Sequence, residues 1–180
     1  MKRISLAVAI VAAFSAAVVI AAGAPAERTA VAKKFAAATP QTPVERGRYL
    51  ARTAGCNDCH TPHYPEKAGD VPEREWLTGV PVGFQGPWGT SYPANLRLVL
   101  NDMTEAQWLA RARQPMRPPM PWFALRDMSD DDLRAIYAYV RTLGPAGVPA
   151  PAAAAPGARV DTPYIVFVPQ NLPTARAHGR

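Results

Sequence analysis

The chain has 180 residues, a formal net charge of +6 and twenty prolines. That length suits one modest domain with extensions, and a proline share about double the usual ~5% makes much of the chain loop, turn and linker. The charge does not indicate nucleic acid. Between Thr42 and Gly144 the 12 basic and 12 acidic side chains balance, so the excess sits in the two ends. A nucleic-acid face would concentrate it on the folded part.

Residues 1–26 read as an export signal. Lys2 and Arg3 precede an apolar or small-residue run from Ile4 to Ala22, and Ala24-Pro25-Ala26 fits a small-x-small cleavage site. The alternative is an uncleaved N-terminal anchor, because the run approaches the ~20 residues of a transmembrane helix, although its many alanines make it weakly hydrophobic. Either way the following domain is expected outside the cytoplasm, in a bacterial periplasm, soluble or held at the inner membrane through its N-terminus. Residues 27–41 read as a flexible spacer. A helix is expected from Pro43, with Thr42 as N-cap, Glu45 in the first turn, and Val44, Gly47, Leu50 or Ala51, and Ala54 at helical spacing. Gly55 ends it.

Cys56-Asn57-Asp58-Cys59-His60 follows at once. Cys-x-x-Cys-His is the attachment signature of a c-type haem. Two thiols three residues apart reach the two vinyl groups of one porphyrin, and the adjacent imidazole is held under the iron. A zinc knuckle would need two further Cys or His ligands, with only His63 and His178 as strays. A thiol redox pair would need a βαβ context that the flanks lack. One motif implies one haem.

Thr61 to Gly89 is dense in Pro and Gly without a clear period, and reads as a loop over one haem edge with a short helical turn near Pro72 to Leu77. A second helix is expected from Thr104 to Arg113, with Thr104 as N-cap and an apolar face of Trp108, Leu109 and Ala112. Gln114 to Phe123 is expected to be non-helical, because Pro115, Pro118, Pro119 and Pro121 remove donors and fix the backbone. The last helix is expected over Ser129 to Leu143, with three acids in its first turn and Leu133, Ile136, Tyr137 and Val140 on one face. Gly144-Pro145 stops it. Residues 145–161 read as an Ala/Pro linker. Residues 162–180 form a tail whose β-favouring strip, Thr162 to Pro169, is too isolated for a sheet and is expected to lie against the domain or a partner.

The second axial face of the haem decides function. Methionine opposite histidine gives an electron-transfer centre, while an open face gives gas binding or catalysis. Met103 and Met128 each precede an N-cap and read as hydrophobic staples. Met116 and Met120 stand in the Pro-rich loop. Pro119 and Pro121 fix the backbone on both sides of Met120, and Trp122 and Phe123 offer an apolar wall against water, so Met120 is favoured and Met116 comes next.

These residues resemble class I cytochromes c, in particular the single-haem modules of bacterial periplasmic and dehydrogenase-associated cytochromes. The likeness runs from Val44 to Gly144, through Glu45-Arg-Gly-Arg-Tyr-Leu50, Cys56 to Thr61, Gly89-Thr-Ser-Tyr-Pro-Ala-Asn-Leu96, Pro119-Met-Pro121 and Met128 to Val140. It implies an all-α cytochrome c-like domain over 42–144, three to four helices around one covalent haem c with long Pro/Gly-rich loops. It implies that Gly47 and Tyr137 meet where the first and last helices cross, that Trp88, Tyr92 and Asn95 line the pocket, and that Met120 is the family's ligand. The sequence departs from such modules at Arg97 to Met103, which lacks their Thr-Pro-Asp turn, and in its tail. The expected function is electron carriage between a redox protein donor and acceptor by Fe(III)/Fe(II) cycling, with no substrate at the iron, no nucleic acid and no enzymatic activity. The alternatives are the haem subunit of a periplasmic dehydrogenase complex, or a haem sensor or peroxidase with an open sixth site.

Overall fold

The computed structural model describes residues 41–169. The export signal or anchor, the spacer up to residue 40, His178 and the end of the tail lie outside the described residues. Among the described residues six helices and three short strands follow in order: α1 Pro43–Thr53, α2 Cys56–His60, β1 Gly83–Gly86, β2 Gly89–Ser91, α3 Leu96–Asn101, α4 Glu105–Ala112, α5 Trp122–Asp127, α6 Asp130–Leu143 and β3 Tyr164–Val166. A single 3₁₀ turn, Glu73–Glu75, falls within the long loop. None of the described helices is long and apolar enough to cross a membrane.

Local chemistry sets most helix ends. At α1 the Glu45 N–H donates to Thr42 Oγ1 at 3.2 Å and the Thr42 N–H donates to the Glu45 carboxylate at 2.8 Å, a reciprocal cap with Pro43 at the first position. Thr104 and Gln107 repeat the device at α4, and Ser129 caps α6. Gly55 takes a left-handed conformation, φ 77°, which lets α1 turn directly into α2.

The core lies where α1 crosses α6. Leu50 and Ala51 from α1 meet Leu133, Ala135, Ile136, Tyr139 and Val140 from α6, with Leu100, Trp108, Ala112 and Leu125 closing the side. Trp108 donates its indole N–H to the Leu133 carbonyl at 2.8 Å, so a buried aromatic leaves no orphan donor. At the crossing Gly47 packs against the Ala135 carbonyl and Tyr139 Cβ. The aromatic partner of Gly47 is thus Tyr139 and not Tyr137. Tyr137 instead donates its hydroxyl to the Met103 carbonyl.

Three further expectations change, and the departing 97–103 stretch takes a defined form. The 61–89 loop does carry the 3₁₀ turn, but it ends in a strand: β1 pairs antiparallel with β2 across Pro87-Trp88, Phe84 opposite Ser91. The 97–103 stretch is helical as far as Asn101, capped by Asn95 and anchored by buried Arg97. Helix returns at Trp122, immediately past the last proline of the Pro-rich segment. The tail is neither isolated nor a free linker. Asn95 Nδ2 donates to the Ala146 and Val148 carbonyls, Thr90 and Ala154 form a bridge, and β3 adds to β1 in parallel, giving the order β2-β1-β3. The strip therefore lies against the domain, as a third strand.

Candidate functional site

Helix α2 puts Cys56, Cys59 and His60 within little more than one turn, and the two cysteines are free thiols. Burial pushes the Cys56 thiol up to about 11, and burial with the nearby Asp58 carboxylate raises Cys59 as well.

His60 is buried, and its Nδ1 lies 2.7 Å from the Ala94 carbonyl. A carbonyl only accepts, so Nδ1 carries the proton and the lone pair sits on Nε2. Burial lowers the imidazole pKa, with the Ala94 hydrogen bond in partial opposition, so the ring is neutral. Its own carbonyl is also used, accepting from the Gly79 N–H at 2.8 Å. Gly79 has φ 80°, and a Cβ there would stand 2.7 Å from the Asn95 nitrogen, so only glycine lets the 77–80 segment run this close to 94–95. Beneath the motif, Thr61 Oγ1 donates to Asn57 Oδ1 at 2.8 Å and accepts from the Leu77 N–H at 2.8 Å. Asn57 Nδ2 is buried without a hydrogen-bond partner.

This donor set fits a haem. Two unpaired thiols flank one turn, and a neutral buried imidazole is oriented through one nitrogen with the other uncommitted, the arrangement that readies a histidine for a metal. Among the described residues no three His, Cys, Asp or Glu side chains converge as metal ligands, so a four-ligand zinc site is not built there.

Met120 lies on the Pro-rich loop. Its N–H donates to the Arg117 carbonyl at 3.3 Å and its carbonyl accepts from the Trp122 N–H at 2.8 Å. Met116 and Met120 are both partly buried and both pack against the core, so burial alone does not separate them. Phe123 is 54% exposed, and the Arg126 guanidinium lies 5.3 Å from the Trp122 ring centroid, so the expected apolar wall is open on the Phe123 side. His63 is exposed. The Tyr92 hydroxyl is engaged by Thr162 at 2.6 Å, the Asn95 amide nitrogen by the Ala146 carbonyl while its oxygen caps α3, and Trp88 packs against Phe167.

Ala94, Gly79 and the Asn57–Thr61 pair escape a sequence reading. Only the i, i+4 spacing of the last pair hints at its bond, because a backbone acceptor has no signature in the sequence.

The sequence model of the cytochrome c family matches residues 44–144. The chain belongs to the cytochrome c family. Cytochromes of this family bind haem c covalently and transfer electrons, and the free Cys56, Cys59 and the oriented His60 supply the chemistry for it. Among curated relatives, this cytochrome is 30% identical over 108 residues to the alcohol dehydrogenase (quinone) cytochrome c subunit of Gluconobacter oxydans, covering 53% of this chain and 20% of the relative. It is 28% identical over 120 residues to the fructose dehydrogenase cytochrome subunit of Gluconobacter japonicus, covering 60% of this chain and 23% of the relative. The match thus spans about a fifth of either relative's length. No solved structure matches.

Proposed function

We propose that this cytochrome passes single electrons between redox proteins, with Cys56 and Cys59 joined to one haem as thioethers, His60 as proximal ligand and Met120 as the sixth. The observation that carries the reading is the buried imidazole whose Nδ1–H is committed to the Ala94 carbonyl, leaving Nε2 as a fixed, neutral donor on the helix that carries both thiols. Bound haem supplies a one-electron Fe(III)/Fe(II) couple. The protein's part is positional. α2 sets both thiols and the imidazole on one short rigid element, the Ala94 bond orients the ring and raises its basicity, and the Pro-rich loop presents a thioether whose backbone is tied on both sides. His60 and Met120 would together hold the iron and leave it no place for a substrate, which supports reading the protein as a carrier rather than an enzyme. The basic-then-apolar N-terminus supports an exported, periplasmic location for it, with a membrane tether as the alternative. The domain boundaries adopted are 42–144 for the haem domain, with the chain beyond Gly144 as an extension of it.

The names of the relatives favour a second reading, in which this domain is the electron-accepting subunit beside a dehydrogenase. Co-purification with such an enzyme from the native cell decides it. The ligand assignment is tested spectroscopically. A pyridine haemochrome assay on acid-acetone-extracted protein is expected to show covalent haem. The ferric protein is expected to show the weak far-red methionine–iron band, lost in Met120→Ala and kept in Met116→Ala. A band that survives Met120→Ala overturns Met120, and a wild type that lacks the band and takes up carbon monoxide readily points to an open sixth site.

A further inference from the structure

The loop that carries Met120 has a specific weakness. Pro115, Pro118, Pro119 and Pro121 contribute no backbone N–H, so the loop cannot stabilise itself with an internal ladder of hydrogen bonds. Beyond the short-range bonds at Met120 and the packing of Met116 and Met120 on the core, two hydrogen bonds, at the loop backbone and at Arg117, arrive from other segments. Ser91 Oγ, at the end of β2, donates to the Pro118 carbonyl at 2.6 Å. Arg117 Nη1 donates to the Ala154 carbonyl at 3.0 Å. Ala154 is a node. The same carbonyl accepts from the Thr90 N–H at 3.1 Å, and the Ala154 N–H donates back to the Thr90 carbonyl at 2.9 Å. The approach is close enough that a Cβ on Gly89 would stand 2.2 Å from that oxygen. Further along, the tail is tied to the hairpin by the Gly83 N–H to the Pro163 carbonyl at 2.8 Å, by the β1–β3 pairing and by Phe167 against Phe84. The hairpin and the tail therefore grip residues 117 and 118 from outside, three and two residues before Met120, and the Arg117 carbonyl passes the restraint on to the Met120 N–H.

We propose that the segment after Gly144 is a strap across the β1–β2 hairpin, and that Arg117 is a positioning residue through which the strap holds the Met120 loop closed. The proposal rests on the reading of Met120 as sixth ligand for its functional consequence, and on the hydrogen bonds alone for the strap. A thioether is a weak ligand, so the fraction of time Met120 is displaced depends on how readily its loop opens. An exogenous ligand for the ferric iron binds only the opened form, and its apparent affinity reports that fraction.

The experiment uses full-length, haem-loaded protein as wild type, Arg117→Ala, Arg117→Lys, Ala154→Pro and Met120→Ala. Two quantities are measured: imidazole binding to the ferric form, and amide hydrogen exchange. Losing the Arg117 bond is expected to raise imidazole affinity roughly two- to tenfold, and Arg117→Lys, which keeps a donor, to restore most of the wild-type value. Ala154→Pro, which deletes the N–H given to Thr90, is expected to act in the same direction. Exchange at Gln114, Met116, Arg117 and Met120 is expected to quicken in Arg117→Ala and Ala154→Pro while that in α1 and α6 stays put. The strap is overturned if loop exchange and imidazole affinity are unchanged in both variants, or if exchange rises equally throughout the domain. If wild type binds imidazole as tightly as Met120→Ala, the ligand reading falls, and the loop's exchange still decides the strap.

Discussion

Gly47→Ala is the sharpest test of how α1, the helix that runs into the Cys56–His60 turn, is seated against α6. An added methyl would lie 2.0 Å from the Ala135 carbonyl oxygen, 2.6 Å from its carbon and 2.7 Å from Tyr139 Cβ. Ordinary contact needs roughly 3.4 Å or more, so α1 and α6 would have to part by about 1 Å or shift along one another. Trimming Tyr139 does not relieve the clash, because the nearest atoms are backbone and the third is a Cβ. Overpacking of a well-filled contact costs about 3 kcal/mol, and the better helix propensity of alanine returns about 1. The net loss is about 2 kcal/mol, which for a domain of this size lowers the melting temperature by roughly 8–16 °C. Thermal unfolding of the ferric holoprotein followed by far-UV circular dichroism measures it. A Gly47→Ala protein that melts at or above wild type would mean that the crossing has slack and that Gly47 is not what sets the helix spacing.

Three other outcomes follow from single contacts. Thr42→Ala removes the acceptor of the α1 cap and is expected to cost about 1 kcal/mol in urea unfolding, with an unchanged slope. Arg97 is buried and donates to the carbonyls of Arg74 at 2.7 Å, Gly144 at 2.7 Å and Leu143. Arg97→Met removes a buried cation and its hydrogen bonds from the α6 C-terminus and is expected to cost about 2–4 kcal/mol by the same assay, while a loss below 0.5 kcal/mol would show that water takes over those carbonyls. The Glu73 carboxyl is held below the usual glutamate value, first by Arg48, whose Nε reaches both oxygens at 2.8 and 2.9 Å, and then by the Tyr139 hydroxyl. A depressed folded value means that Glu73 stabilises the fold above its ordinary value of 4.5 and that this stability is lost as pH falls through the lower folded one. Glu73→Gln should therefore flatten the acid limb of stability against pH, and an acid limb with the wild-type slope would remove Glu73 from its cause.

Much of this cytochrome was readable from neighbouring residues, because the physics there acts over a few positions. Thr42-Pro43-x-Glu45, Thr104 and Ser129 mark helix starts by side-chain capping, and Gly55 marks a stop that needs a left-handed backbone. Cys56 to His60 announces a haem because thioether and axial chemistry must come from one turn. The α1 and α6 helices and their shared apolar faces follow from periodicity. The family resemblance put Tyr137 opposite Gly47, and the structure puts Tyr139 there: residues two apart lie on nearly opposite sides of a helix, so the rotation of α6 against α1, which residue spacing does not set, chooses between them.

What the tertiary structure alone decided has long sequence separation in common. β3 joins β1 across about 80 residues, so a strip that looks stranded in the sequence gains its backbone partners only once the chain has folded back. α3 is six residues long, too short to hold itself, and exists because Asn95 caps it and Arg97 pins it to the end of α6. The Ala94 carbonyl that orients His60 comes from 34 residues away and, as backbone, carries no residue signature. The sequence determined that two thiols and an imidazole share one short helix, because Cys56, Cys59 and His60 fall within five consecutive residues. Ser91, Arg117 and Ala154 meet at the Pro-rich loop only in the folded chain, because loop closure brings such groups together only after the core has paid the entropy of folding.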